Sequence, residues 1–553
     1  VNATARAPGW LRGAALAAVL VLGFAGAWNH ELRVYDEPRE AELARFMWRS
    51  GNFAFAVLGG HPFLEKPPLF TATVALAFGA LGHASVLAAR AVSVLWSFGT
   101  LGVVFWLARR VVGNPAAVFS VLVLATMNRF FACQHTILLD NALGAFTTGA
   151  IAFGWVAATE RRRSFALLAG ASLGGAVLTK GLVGAGIAGL VLAIELAWSR
   201  DGAGARELLH PGAVALAVAP GALYAAALAH AGGAGFLREL CWDNQVGRFL
   251  WGHGSRRSDV LLYARTWWEM VAPWTPLAAA ALLCPLVRGG AAPRTWRFLA
   301  VWALAPLVAL SFSQARARFY AVPVVPAYAL LVAWLWFAAG PVPRWLRVLG
   351  VAAWLAGALG VAAAVAAIAL VDPERLDALA VLAGALALGS LAGLEAARRG
   401  ACRETIGLSL SLLGVAGFLL SVSGFVAARR EPHLSYKAFS DEVWARAGER
   451  RLVLFHVQDS YSGTFAFYRD RDTPGFDERR DPEGERLIAA IGSDDLVLAP
   501  AGALDRIPPS RRRDLVVEWE GAGVAAEPWP RLTRSPPAPP DTLVLFHKGG
   551  SSP

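Results

Sequence analysis

Long apolar stretches separated by short polar joins fill the first 430 or so residues, and a polar tail follows. A helix rises about 1.5 Å per residue, so crossing a hydrocarbon core of about 30 Å takes about 20 mostly apolar residues. On that measure the pattern predicts thirteen membrane-spanning helices. They lie near 10–28, 84–108, 115–133, 140–158, 164–181, 183–198, 211–230, 263–287, 298–313, 319–338, 345–371, 374–396 and 405–427. Only Thr179-Lys180-Gly181 breaks the stretch 164–198. The apolar segment 67–82 is short, starts at Pro67-Pro68 and ends at Gly82, so it reads as a juxtamembrane or re-entrant piece. The first apolar run could be read as a signal peptide, but Trp28 and a charged segment follow it, which favours a first spanning helix.

The arginines set the orientation. Alternate joins carry Arg109-Arg110, Arg161-Arg162-Arg163, Arg200 with Arg206, Arg288 with Arg294 and Arg297, Arg344 with Arg347, and Arg398 with Arg399 and Arg403. By the positive-inside rule these joins are cytoplasmic, and so is the N-terminus. Four irregular pieces then share the outer face: the first loop (29–83), the join before Asp140, a loop at 231–262, and the Ser313–Tyr320 join. Irregular polar backbone gathered on one face of a bundle points to an active-site cavity there. The tail, 430–553, also falls outside. Its short β-like runs, Leu452–Val457, Phe465–Tyr468, Leu496–Leu498, Leu515–Trp519 and Leu543–Phe546, predict a small α/β domain without a catalytic motif. The fold class is therefore an all-α polytopic bundle, 1–429, with an α/β extracytoplasmic domain, 430–553.

Composition agrees. Of the 553 residues, 56% are hydrophobic and only 16% charged, against about 25% charged in soluble domains. The mean hydropathy is +0.48. A net charge of +11 would suggest nucleic acid in a soluble chain; here the arginines sit between spans, where topology explains them. Four scattered cysteines make neither a disulfide framework nor a zinc-thiolate site.

The candidate chemistry lies in the outer pieces. In Tyr35-Asp36-Glu37-Pro38-Arg39-Glu40-Ala41-Glu42, Asp36 can cap a helix with Pro38 in its first turn. Apolar residues at 43, 46 and 47 predict an amphipathic helix lying on the membrane surface. In Phe63-Leu64-Glu65-Lys66-Pro67-Pro68 the prolines hold a Glu-Lys pair rigidly, and Lys66 suits a phosphate. Asp140 starts a span, where a carboxylate is costly without a partner or a role, and Lys180 interrupts an apolar run. Arg316 and Arg318 stand on the outer side, against the positive-inside trend, and arginine forks suit phosphate oxygens. The loop near 243–259 adds Asn244, Arg248, Arg256, Arg257 and His253, the one histidine there with a plausible metal role.

These stretches resemble the aminoarabinose transferase-like membrane glycosyltransferases, bacterial relatives of the protein O-mannosyltransferases with a GT-C fold. The Asp-Glu and Glu-Lys-Pro-Pro pieces carry most of the resemblance. Leu138-Leu139-Asp140, Leu178-Thr179-Lys180-Gly181, Asn244-Gln245 with Arg248-Phe249, and Tyr320 with Pro323 and Pro326 follow in the same order, over about residues 10–340. The resemblance implies transfer of a sugar from a polyprenyl-phosphate donor to an acceptor, which is lipid A, a lipid-linked glycan or a protein hydroxyl. It places the enzyme in the bacterial inner membrane with its site on the periplasmic face. It makes Asp36 and Asp140 the catalytic carboxylates and Lys66, Arg39, Lys180, Arg316, Arg318 and Tyr320 the donor-phosphate residues. The family pattern has lysine at Arg316 and proline at Arg318. Some members hold a divalent ion with residues matching Glu65 and His253, although the chemistry needs no cofactor. A single displacement would invert the anomeric centre. Two other readings are a transporter or flippase of lipid-linked saccharides, which predicts inverted repeats and midplane charges, and a non-catalytic assembly protein whose tail recruits partners. No internal repeat is visible.

Overall fold

Helices dominate the computed structural model up to residue 338. The structure describes residues 9–24, 27, 31–32, 36–252, 259–272, 274–288, 292–338, 435–470, 473–478, 480–524 and 542–549. The spans expected at 345–371, 374–396 and 405–427 lie outside the described residues.

Helix α1 (Gly9–Phe24) leads to α2 (Asp36–Ser50), then to a hairpin of β1 (Ala56–Leu58) and β2 (His61–Phe63). Next come α3 (Leu69–Leu81), α4 (Val86–Val111), α5 (Asn114–Ala125), α6 (Asn128–Gln134), α7 (Leu139–Glu160), α8 (Arg163–Lys180), α9 (Leu182–Trp198), α10 (Gly202–Leu208) and α11 (Pro211–Leu237). Helix α11 runs on through a π-helical stretch, Arg238–Gly247, into α12 (Arg248–Trp251). The rest of the bundle is α13 (Leu262–Val271), α14 (Thr275–Arg288), α15 (Arg294–Phe312), a 3-10 turn Arg318–Val324, and α16 (Val325–Phe337). Among the described residues five helices are long and apolar enough to span, or seven if each bent pair counts once.

Local chemistry sets the breaks. The Ser85 hydroxyl caps α4 by accepting from the Ala88 N–H. Pro115 stands in the first turn of α5, where its missing N–H costs nothing. The α7–α8 hairpin turns at Arg161 in the left-handed region, and α8 gives way to α9 at Gly181, φ +68°. A Cβ on Gly181 would fall 2.4 Å from the Gln245 side chain, so that position requires glycine twice over. Inside the bundle the fully buried Trp302 donates to the Pro323 carbonyl at 3.0 Å, and Tyr328 to the Ala303 carbonyl at 2.8 Å.

Several expectations change. The single spans at 115–133 and 263–287 are each broken, by 69° and 112°. At the first break Thr126 bonds back to the Leu122 carbonyl and accepts from Trp274, and the Asn128 N–H is held by the Ala272 carbonyl. At the second the sequence places two prolines, Pro273 and Pro276, which no continuous helix accommodates well. The loop expected at 231–262 is helical as far as Trp251. Helix α2 does not lie on a free membrane surface. Glu37 through Arg45 are all buried, because α3 packs on one side and a helix of the tail on the other.

The tail holds α17 (Tyr436–Ala447), β3 (Leu452–Phe455), α18 (Asp459–Arg469), β4 (Gly475–Phe476), α19 (Glu485–Ala490), β5 (Leu496–Pro500), two short helical turns, β6 (Leu515–Ala522) and β7 (Thr542–Lys548). The sheet order is β4-β3-β5-β7-β6, with β3 parallel to both its neighbours and β7 antiparallel to both of its own. The run Phe465–Tyr468, expected as a strand, belongs to α18. Tyr461 and Phe465 are buried at i, i+4 spacing and Ser460, Thr464 and Phe467 fill the same face, a helical period over too few residues to show in the sequence. Helix α18 docks directly on α2. A Cβ on Gly463 would come within 2.4 Å of the Pro38 carbonyl oxygen, so only glycine lets the two helices approach this closely. Asp470 accepts from Arg45 at 2.5 Å and also from Arg49. The Gly475 N–H donates to the Gly59 carbonyl at 2.9 Å, tying β4 to the β1–β2 turn.

Candidate active site

Asp36 is the first residue of α2, and Arg39, one turn on, donates to its carboxylate at 2.6 Å. The Arg39 guanidinium also reaches Glu40 at 2.8 Å and lies over the Phe63 ring at 5.6 Å. Glu40 in turn faces the Lys66 ammonium at 3.6 Å. These side chains are nearly all buried, Lys66 being 17% exposed and Asp36 14%. The prolines after Lys66 lead straight into α3, so the lysine is held at the foot of a helix.

A second pair meets this one from the bundle. Lys180, the last residue of α8, donates to Asp140 at 2.6 Å, with the two side chains 8% and 1% exposed. Asp140 sits in the first turn of α7, where the free amides favour negative charge. The Lys180 ammonium also stands 4.1 Å from the centre of the Tyr320 ring. Glu65 pairs with Arg248 at 3.1 Å. The Asn244 amide donates to the Leu64 carbonyl at 3.4 Å, and Gln245 accepts from the Leu182 N–H at 3.1 Å. The extension of α11 thus braces the Glu-Lys-Pro-Pro loop and the turn after Lys180 together.

The parts act on one another electrostatically. Asp36 feels Arg39, Lys66 and Lys180; Tyr320 feels Lys66, Arg248, Asp140 and Asp36. Burial pushes the Asp36 carboxyl up, but Arg39, Lys66 and Lys180 outweigh it and the net shift is downward. Glu65 behaves likewise: burial raises it, and Arg248, Lys66 and Arg39 bring it below the ordinary value. Each cation of the cluster already has a carboxylate partner. An incoming phosphate must therefore share or displace those carboxylates.

The structure also brings in residues that the sequence did not single out. Glu40 bridges Arg39 and Lys66. Asp459, the first residue of α18, comes from the tail. Burial pushes its carboxyl up; Glu65 and Asp36 push the same way, while Arg39 and Lys66 only partly compensate. No motif marks it, because its role depends on the tail docking against α2. Glu37 is spent on architecture: it accepts from Arg90 at 2.8 and 3.0 Å and from the Ile137 N–H at 3.1 Å, linking α2 to α4 and to the segment before Asp140.

Tyr263 feels Arg316 together with Tyr320 and Asp140 of the cluster. Arg316 donates to the Ser311 and Ser313 carbonyls, and Arg318 lies 3.4 Å from Glu269, which Arg129 also meets. His253 lies outside the described residues. Among the described residues no three His, Cys, Asp or Glu side chains gather as a metal site, and Glu65 faces an arginine.

Helices long and apolar enough to span, a buried acid–base cluster at their end and an α/β cap over that cluster define a multi-pass membrane protein. Over nearly the whole length, 98% of each chain, the fold matches ArnT from Cupriavidus metallidurans bound to undecaprenyl phosphate, with a TM-score of 0.72 at 19% identity. The apo state of that protein gives 0.73 at 21% identity, covering 97% of this chain and 98% of that one. A family model for dolichyl-phosphate-mannose-protein mannosyltransferases matches residues 14–229. The undecaprenyl phosphate-alpha-4-amino-4-deoxy-L-arabinose arabinosyl transferase of Pseudomonas savastanoi pv. phaseolicola is 27% identical over 332 residues, 58% of each chain. Its counterpart in Pseudomonas aeruginosa strain LESB58 is 28% identical over 317 residues, 55% of each. The matched region spans little more than half the length of these curated relatives.

Proposed function

We propose that this protein moves a sugar from a polyprenyl-phosphate donor to an acceptor at the outer face of a bacterial inner membrane. One observation carries the reading. Four separate stretches of the bundle deliver Asp36, Arg39, Lys66, Asp140, Lys180 and Tyr320 to a single buried cluster rich in cations and carboxylates. The chemistry fits a displacement at the anomeric carbon. An acceptor oxygen forms the new bond, and the bond to the donor phosphate breaks with its electron pair left on phosphate. Lys66 and Lys180 stabilise that growing charge in a site of low dielectric. Asp36, ionised at neutral pH, takes or orients the acceptor's proton. The anchored lipid supplies local concentration and orientation. One displacement inverts the centre.

The relatives' names make 4-amino-4-deoxy-arabinose the first sugar to offer, with lipid A, a lipid-linked glycan and a protein hydroxyl as acceptors. In the same reading residues 1–429 form a thirteen-span bundle and 430–553 a periplasmic cap. The positive charge at the leaving phosphate comes from side chains, so transfer should continue undiminished in a chelator; loss of transfer on chelation, restored by a divalent ion, would move that role to Glu65 and His253.

The test uses purified protein in nanodiscs with a panel of polyprenyl-phosphate sugars and acceptors, followed by mass spectrometry. Wild type should transfer one donor's sugar. Asp36→Asn should lose about 10²–10⁴-fold in rate while still binding the lipid. A fully active Asp36→Asn, or intact donor carried across the bilayer without cleavage, sinks the proposal.

A further inference from the structure

A large cavity lies in the bundle away from the cluster. Helix α7 begins at the site with Asp140 and runs 22 residues to Glu160, and α8 returns from Arg163 to Lys180. Their far ends therefore lie roughly 30 Å from the site, at about 1.5 Å per residue. The cavity, of about 750 Å³, runs from the middle of the bundle, at Ala150 and Leu173, to that end, among α7, α8, α9, α10 and α11. Small residues make the room, among them Ala169 and Gly170 on α8 and Ala188 and Gly189 on α9. A Cβ on Gly189 would meet nothing within 4 Å. Leu209, Val214 and Val218 line the cavity and are themselves exposed, so it opens sideways toward the bilayer.

Arg200 and Asp201 are the charged residues of the lining, and two further arginines stand close to it in the chain. Arg163 starts α8 one turn before the lining residue Ala166, and Arg206 follows the lining residue Ala205. Of the nearby acids, Asp201 holds Arg161 at 2.5 Å and Arg294 at 2.8 Å and Glu195 holds Arg294 at 2.8 Å, while Glu207, next to Arg206, keeps a buried oxygen that has no hydrogen-bond partner among the described residues. Among the described residues Arg163, Arg200 and Arg206 have no acidic partner.

We propose that this cavity binds an anionic phospholipid of the bilayer, its acyl chains in the groove and its phosphate among these three arginines. Water would find almost no polar partners in such a lining, whereas acyl chains match it. Guanidinium forks suit phosphate oxygens, and basic pockets between spanning helices select anionic headgroups. A zwitterionic lipid brings an ammonium that offsets the attraction, so charge decides the choice. The site is separate from the one proposed for the sugar donor, and its readout is lipid retention, so it stands or falls independently of sugar transfer.

The test is native mass spectrometry of the full chain after exposure to equal amounts of phosphatidylglycerol and phosphatidylcholine. Wild type should retain one phosphatidylglycerol, at least several-fold over phosphatidylcholine. Gly189→Leu should fill the groove and lose both. Exchanging Arg163, Arg200 and Arg206 together for glutamine should abolish the preference while leaving transfer unchanged. Equal retention of the two lipids by wild type, or an unchanged preference in the triple variant, overturns the proposal. So does displacement of phosphatidylglycerol by added undecaprenyl phosphate, which would assign the groove to the donor. Should Gly189→Leu not fold, the triple variant still decides the matter.

Discussion

Glu40 faces both Arg39 and Lys66, and Asp140 holds Lys180, so the cations proposed for a phosphate are held in place before any ligand arrives. That preorganisation has a pH consequence. The folded pKa of Asp36 lies below its unfolded value. Its contribution to stability is therefore present above the ordinary carboxylate pKa, about 3.9, and is lost as pH falls through the lower folded value. The acid limb of transfer should accordingly sit below the ordinary range. Arg39→Gln removes the strongest nearby cation and leaves burial in charge, so the limb should move upward; rate against pH for the two proteins reads this, and an unmoved limb would separate Asp36 from the rate. At this scale the chain was legible where a charged residue interrupts a strong pattern. Asp140 and Lys180 stood out against apolar runs, and Asp36 and Lys66 against proline-punctuated loops. Arg316 and Arg318 stood out by the same logic, but their contacts with backbone carbonyls and with Glu269 were not legible, because the direction of a long side chain is set by neighbours far away in the chain.

The elements are joined by a few buried polar contacts. Arg90 on α4 is wholly buried, meets Glu37 at 2.8 Å and also donates to the Glu31 carbonyl. Glu37 then accepts from Ile137, three residues before Asp140. This chain of contacts positions both catalytic candidates relative to each other. Removing one partner of a buried pair leaves the other charge uncompensated, at a cost of about 3–5 kcal/mol. Arg90→Met should therefore lower the thermal midpoint clearly and slow transfer even in the fraction that stays folded. A thermal scan with single-turnover kinetics checks this, and a stable, fully active variant would argue against the coupling. Helix existence was readable from apolar length. The bend after Ala125 was not, because it depends on contacts such as Trp274 with Thr126, 148 positions apart, whereas the one after Val271 has Pro273 and Pro276 in the sequence.

At the scale of the molecule, the tail closes over α2 and the β1–β2 turn. Gly463 lets α18 reach the Pro38 backbone, Asp470 clamps Arg45, and Asp459 adds a buried carboxylate beside Arg39. The folded pKa of Asp459 is raised, so the folded form binds its proton more tightly than the unfolded one. The sign follows: stability is lost as pH rises from the ordinary carboxylate pKa through the raised value. Docking of the tail should loosen over that window. Hydrogen exchange along α2 should quicken there in wild type but not in Asp459→Asn; identical profiles would remove Asp459 from the docking.

The membrane class, the positions of the five long apolar helices among the described residues and the chemistry-bearing motifs of the first loop follow from the amino-acid order alone. Bilayer thickness imposes a length on apolar runs, and a charge within such a run needs a reason. The partners of those charges, the bends, the helical state of Phe465–Tyr468 and the arrival of Asp459 were settled only by tertiary packing. Each depends on contacts between segments tens to hundreds of residues apart, and short-range pattern carries no record of which distant surface a side chain will meet.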